Sequence, residues 1–334
     1  MVHTPILRGI ATVFLLAACT AATPGAHAQI SQPAATSPDT DQPLWRATHG
    51  VLLAAARAGS RLVVVGDRGT ILLSDDQGAT WRLAPSGTQA LLTAVLFTSA
   101  TDGWVVGQDS TILHTQDGGL HWTSQPRADG NDQALFSVVS LGAGHMVATG
   151  AYALMVETTD GVAWTPVKLP NLDEDYHLNC AMARGQDLIV TGEAGHAFIR
   201  HAGTWAPAPV PYEGSQFGCL SRPDGTIYSF GLRGSLFVST TAAPAWKRIE
   251  THEARPFFGG TVLANGFIAL VGGNGLMMIL DPQTSQLRTL PPVTAATLSG
   301  VVEAGSGKWI VVGDDGIHLV DPAAAITPAA EVTQ

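Results

Sequence analysis

The chain is poor in charge, in lysine and in cysteine. Charged residues make up 13% of its 334 residues, only three of them are lysine, and the formal net charge is −10. Phosphate binding needs a basic stripe, so this balance excludes a nucleic-acid partner. No apolar run is long enough to span a bilayer; the longest candidate, residues 9–18 near the N-terminus, falls well short. The eleven histidines show no metal-ligand spacing. His196 and His201 straddle a strand, and His114 and His121 lie on neighbouring strands of one hairpin, where a zinc site would want three or four convergent ligands. No metal and no cofactor are therefore expected.

What the chain does have is glycine, at 37 positions, and one series of these recurs. Gly66, Gly107, Gly150, Gly192, Gly231, Gly272 and Gly313 are separated by 41, 43, 42, 39, 41 and 41 residues. Each closes a short β-branched or apolar run, such as Leu62-Val63-Val64-Val65-Gly66 or Ile310-Val311-Val312-Gly313. A period of about 40 is the signature of a propeller whose repeats are four-stranded blades. The expected fold is all-β: a seven-bladed β-propeller over residues 43–321.

Blade 2 shows the pattern. Leu92 to Phe97 is the inner strand, Trp104 to Gln108 the second, Thr111 to Thr115 the third and His121 to Ser124 the outer strand. One inner-strand position is always small or short: Ala94, Ser137, Asn179, Gly218, Gly259, Gly300. Inner strands converge on a central channel, which leaves no room for bulk there. An outer-strand tryptophan recurs at Trp81, Trp122, Trp164, Trp205 and Trp246, with Leu287 in the sixth repeat. The seventh repeat ends without an outer strand. Trp45, which precedes the first blade, predicts an N-terminal strand that completes the last one and removes an exposed edge.

Ser74 to Trp81 reads S-x-D-x-G-x-T-W, an Asp-box turn, with degenerate copies at Thr115 to Trp122 and Thr158 to Trp164. Its aspartate caps backbone N–H groups and its glycine supplies positive φ, so the motif is structural. Asp boxes also occur in sialidases, which makes a glycoside hydrolase one alternative. That chemistry needs paired carboxylates, or a tyrosine nucleophile with an acid and an arginine cluster. The four tyrosines, Tyr152, Tyr176, Tyr212 and Tyr228, have no such partner set. A small-molecule sensor using the channel is a further alternative.

Residues 1–28 read as an export signal. Leu16-Ala17-Ala18-Cys19 resembles a lipobox with Cys19 as the lipidated residue, and Ala26-His27-Ala28 resembles an ordinary cleavage site. Either leads to the periplasm, with membrane association only through a lipid anchor. Residues 29–42 and 322–334 read as a flexible linker and tail. Cys180 and Cys219 each stand twelve residues before their glycines. Equivalent points on neighbouring inner strands are expected about 7–9 Å apart, near or beyond the bridging limit of about 7 Å between Cα atoms. A disulfide and two small buried side chains both remain open.

The hairpins after each second strand and the links between blades share one face, the top. It carries Arg68, Tyr152, Arg233, Arg255 and an acidic arc at Asp173, Glu174 and Asp175. Exposed loops on a rigid scaffold are where such rings bind. The repeats Val64 to Trp81 and Val105 to Trp122 resemble the photosystem II stability/assembly factor family. That resemblance implies a non-enzymatic, lumenal or periplasmic propeller that binds a protein client and helps assemble a membrane complex; the chain is expected to be a monomer. It also implies an arginine-rich patch on the top, which only Arg68 and Arg233 match by position. Asp109, Glu193, Asp314 and Asp315 put opposite charge into the other hairpins.

Overall fold

The computed structural model describes residues 44–125, 132–142, 144–170, 176–241, 244–305 and 307–323. Seven antiparallel sheets follow one another along the chain, each with its strands in sequence order. Blade 1 comprises Leu52–Ala58, Arg61–Gly66, Ile71–Ser74 and Arg82–Ala84; blade 2 runs from Leu92–Phe97 to Thr123–Ser124. Blade 3 begins at Leu135–Gly142, blade 4 at Cys180–Arg184, blade 5 at Gln216–Ser221 and blade 6 at Phe257–Val262. Blade 7 comprises Leu298–Gly305, Lys308–Gly313 and Gly316–Val320. Blades 1 to 6 are four-stranded, and blade 7 is three-stranded among the described residues.

The recurring glycine has a steric cause. The residue after it (Asp67, Gln108, Ala151, Glu193, Leu232, Gly273 or Asp314) donates its backbone N–H to a carbonyl just before the inner strand of the same blade. The acceptors are Val51, Leu91, Ala134, His177, Ser215, Pro256 and Thr297. A Cβ on the glycine would overlap that same carbonyl oxygen in all seven blades. Only a residue without a side chain lets the strand end come this close. Gly150→Ala should therefore cost about 1–3 kcal/mol, the usual range for forced overpacking. The urea midpoint should fall while the m-value holds.

Seven buried clusters fill the spaces between neighbouring blades, including one that joins blade 7 to blade 1. In that closing cluster Val302, Ala304, Ile310 and Val312 pack against Leu52, Leu62, Val64 and Leu72. Each outer-strand tryptophan faces the blade before its own. Trp81 packs on the 7/1 cluster, Trp122 on 1/2, Trp164 on 2/3, Trp205 on 3/4 and Trp246 on 4/5. Leu287 takes that place at 5/6.

The expected N-terminal strand is corrected at Leu44–Thr48; the residues before Leu44 lie outside the described ones. Leu44–Thr48 forms a short helical turn, closed by the Thr48 hydroxyl on the Leu44 carbonyl at 3.0 Å. Trp45 is 62% exposed, with the Arg46 guanidinium 5.5 Å from its ring centre. Ala47 is the residue this turn buries, in the 7/1 cluster. Among the described residues the seam holds side-chain packing and the close approach of the Thr48 carbonyl to Gly316 of blade 7, and Trp45 fills no blade.

The Asp boxes behave as turn devices. Asp76 Oδ1 accepts from the Ser74 hydroxyl and the Thr80 N–H, both at 2.8 Å, while Trp81 Nε1 donates to the Gly78 carbonyl. Asp117 accepts from the Thr115 hydroxyl at 2.9 Å and the His121 N–H at 3.0 Å. Asp160 accepts the N–H groups of Val162 and Ala163. The bonds from Thr80 lead in holding the Asp76 carboxyl down at about 2.

Candidate partner-binding face

In blades 1 to 6 the chain enters the top hairpin through the recurring glycine and turns in the left-handed region. The turning residues are Arg68, Asp109, Tyr152, Ala194, Arg233 and Asn274, with φ values of 52, 53, 52, 51, 54 and 52°. All six are exposed. The side chain at this position stands out from the rim with the backbone fixed beneath it. The sequence alone assigned Arg68, Tyr152 and Arg233 to this face, and these hairpins carry them.

The predicted charges do not behave alike. Arg68 Nε lies 3.6 Å from the neighbouring Asp67 carboxylate, an exposed pair of little energetic weight. Arg233 has no ion pair among the described residues. Arg255 is occupied: its Nη2 bonds Glu253 Oε2 at 2.6 Å and its Nη1 reaches the Asn274 carbonyl at 3.5 Å. The Arg255 hydrogen bond leads in lowering the Glu253 carboxyl to about 2, against the pull of burial. Arg255 is therefore half of an internal ion pair on this face. Glu193 Oε2 accepts the His177 N–H at 3.0 Å. Asp173, Glu174, Asp175 and Cys19 lie outside the described residues.

The sequence reading missed an aromatic collar inside this rim. Five inner strands bulge after their first residue, at Leu52/Ala54, Leu92/Ala94, Gln216/Gly218, Phe257/Gly259 and Leu298/Gly300, and blade 3 does the same at Phe136. The extra residue reaches along the channel mouth to the next blade. Thr93 donates to the Leu135 carbonyl at 2.6 Å, and Asn179 to the Gln216 carbonyl at 3.0 Å. Phe136 packs on His177, and Phe217 meets Phe258 with ring centres 5.2 Å apart. Tyr152, 56% exposed, stands edge-on to His177 at 5.0 Å and carries the aromatic surface onto the rim. Their sequence mark was an aromatic directly before the small inner-strand residue, as in Phe136-Ser137, Phe217-Gly218 and Phe258-Gly259.

Convergence on the channel explains part of the small series. A Cβ on Gly259 would meet the Ser299 carbonyl of the next blade, but one on Gly218 would meet the Phe230 ring of its own. Asn179 does not belong to the series. Cys180 pairs with Thr191, directly before Gly192, as Gly218 pairs with Phe230 before Gly231, so Cys180 holds the small position of blade 4.

This offset corrects the cysteine geometry. Cys219 pairs with Ser229 and lies one step further along its strand than Cys180 does. The two are diagonal neighbours with Cα atoms 5.8 Å apart, inside the bridging range, and they form a disulfide. Counting back from the glycines misses the offset because the first hairpin of blade 4 is one residue shorter.

At the opposite mouth a cavity of about 720 Å³ is lined by Leu96, Phe97, Val138 and Met182, with Asp102 as its one carboxylate. Asp102 is hydrogen bonded to His114 Nε2 at 2.7 Å. No cluster of three or more metal-ligating side chains occurs among the described residues. No helix among them is long and apolar enough to cross a membrane.

Comparison with known proteins agrees with this architecture. Among curated proteins, the photosystem II assembly protein Ycf48 of Synechococcus sp. (strain JA-2-3B'a(2-13)) is 28% identical over 181 residues, 52% of this chain and 54% of that relative. The match thus spans about half the length of the relative. Among solved structures, YCF48 bound to D1 peptide superposes with a TM-score of 0.66 at 17% identity, covering 81% of this chain and 93% of the other. A streptogramin B lyase structure reaches 0.71 at 13% identity, with 82% and 95% covered. At those identities the likeness shows the fold alone. The model of one family, described as photosynthesis system II assembly factor YCF48, matches residues 84–256, more than half of the chain, and the chain belongs to that family.

Proposed function

We propose that this protein is an exported, non-enzymatic propeller that captures a protein client on its top face, as an assembly factor for an envelope membrane complex. The carrying observation is the family match together with a face built for contact: six outward-turned rim residues around a half-buried aromatic collar. YCF48, a family member, has been solved with a D1 peptide. The arginine-rich patch implied by the resemblance is reduced here to Arg68 and Arg233, with Asp109 and Asp314 on the same rim, so the client is a different one. Aromatic residues and arginine are the side chains that most often anchor interfaces.

A non-enzymatic role also fits the carboxylates. Asp76, Asp117 and Asp160 are committed to capping their own turns. The Cys180–Cys219 disulfide suits an oxidising compartment and supports export through residues 1–28. The test is crosslinking capture from the envelope of the source cell. Reversing Arg68 and Arg233 to glutamate should reduce capture at least tenfold with no change in Tm, both positions being exposed. Undiminished capture by this variant would remove the two arginines from the interface. No specific capture by the native protein would remove the function itself.

A further inference from the structure

The bottom mouth of the channel holds a cavity that the top face does not use. Its walls are the lower ends of the inner strands of blades 2 to 5: Leu92–Phe97, Leu135–Gly142, Cys180–Arg184 and Gln216–Ser221, each described from end to end. Leu96, Phe97, Val138, Val139 and Met182 make most of it apolar. Its volume of about 720 Å³ lies inside the range of roughly 300–1,000 Å³ usual for small-molecule pockets.

The charge of this cavity is one-sided. Asp102 is its one carboxylate, and no lysine, arginine or histidine is among its lining residues. The arginines at the bottom ends of blades 4 and 5 are already paired, Arg184 with Asp187 at 3.1 Å and Arg222 with Asp224 at 2.6 Å. Arg57 of blade 1 donates to the Glu303 and Gly59 carbonyls at 3.0 and 3.2 Å.

Asp102 is also held in place. It closes the hairpin between the first two strands of blade 2. Its carbonyl accepts the Thr98 N–H at 2.9 Å, and its own N–H donates to the Ser99 hydroxyl at 2.9 Å. Oδ1 is hydrogen bonded to His114 Nε2 at 2.7 Å, and Oδ2 accepts from the Thr98 hydroxyl at 3.1 Å. The His114 ring is stacked on the buried Trp104, ring centres 4.3 Å apart, which fixes the carboxylate from behind. A carboxylate has about four acceptor sites, so each oxygen keeps one for a ligand. The Asp102 side chain is 36% exposed, open to the cavity and not sealed behind it.

We propose that this mouth is a binding site for a small organic ammonium ion, whose charge meets Asp102 and whose apolar body lies against Val138, Val139 and Met182. Beside an apolar wall water competes less, so the attraction at close range exceeds its value in bulk solvent several-fold. The same carboxylate repels an anion of equal shape, which makes the site selective.

The test uses two probes with one apolar body, phenylbutyl-trimethylammonium and phenylpentanoate, titrated into the full chain by calorimetry. The cation should bind saturably, one per chain, and the anion at least tenfold more weakly. Asp102→Asn, whose amide oxygen can still accept from His114, should weaken the cation at least tenfold and erase the preference between the probes. The place of binding is read from the methyl resonances of the methionines. The Met182 methyl should shift with the same midpoint as the heat, while Met277 and Met278 of blade 6 stay fixed. No binding of the cation at millimolar concentration would overturn the proposal. So would equal affinity for the two probes, an unchanged affinity in Asp102→Asn, or a Met182 methyl that does not respond. None of these outcomes bears on client capture at the opposite face.

Discussion

Replacing Cys180 and Cys219 together by alanine should lower the unfolding free energy by about 4 kcal/mol, the chain-entropy value for a closed loop of this size. The bridge joins residues separated by 39 positions, so it removes the freedom of a whole repeat from the unfolded chain. It also ties the inner strands of blades 4 and 5 beside the one cluster that joins them, against which Cys219 itself packs. For a propeller of this length the loss corresponds to a fall in Tm of roughly 7 °C, taking the usual unfolding entropy per residue. Urea titration with and without reductant is the measurement. The native chain should lose stability on reduction, and the double-alanine chain should be indifferent to it. Equal midpoints for native, reduced and double-alanine chains would show that the bridge does not constrain the ring. Alanine is the better substitution because serine would leave a hydroxyl where Cys180 is buried.

The ring was legible because its determinants are local and repeated. The recurring glycine marks one close approach made seven times, and the tryptophan marks one packing site used five times. What failed to show were features set between repeats. The collar phenylalanines depend on a bulge, which sequence spacing does not announce. The cysteine pair was misjudged because one hairpin is a residue shorter, an offset invisible until strands are paired. Trp45 looked like the missing seventh tryptophan, yet the chain turns helically there and leaves its ring exposed. Arg68 and Arg255 look alike in sequence. Only the fold shows Glu253 folding back to occupy Arg255.

The same limit hid the cluster whose disruption should have the next largest effect. Glu157 of blade 3 accepts both Nη atoms of Arg200 of blade 4, at 2.8 and 2.7 Å, and is also hydrogen bonded to His145 Nε2. The Arg200 guanidinium lies 5.5 Å from the centre of the Trp205 ring. The side chains of Arg200 and Glu157 are only 14% and 16% exposed. Burial is the largest single influence on Glu157 and pushes its carboxyl up. The bonds and charges of Arg200 and His145 together outweigh it and hold the group below its ordinary value of 4.5. Glu157→Ala leaves the guanidinium without its partner, and removing one member of such a pair costs about 3–5 kcal/mol. The residual solvent contact favours the lower end. Glu157→Met combined with Arg200→Met should recover most of the loss, because no charge is then stranded. The pH dependence has a fixed sign. A lowered carboxyl stabilises the fold fully above its unfolded value, so the gap between native and Glu157→Ala chains should be constant from neutrality down to about pH 5. Below 4.5 it should narrow as the folded carboxyl takes up its proton. Urea midpoints across that range decide the matter, and a single variant within about 0.5 kcal/mol of native at pH 7, the spread of ordinary surface changes, would show that blades 3 and 4 are held by apolar packing alone.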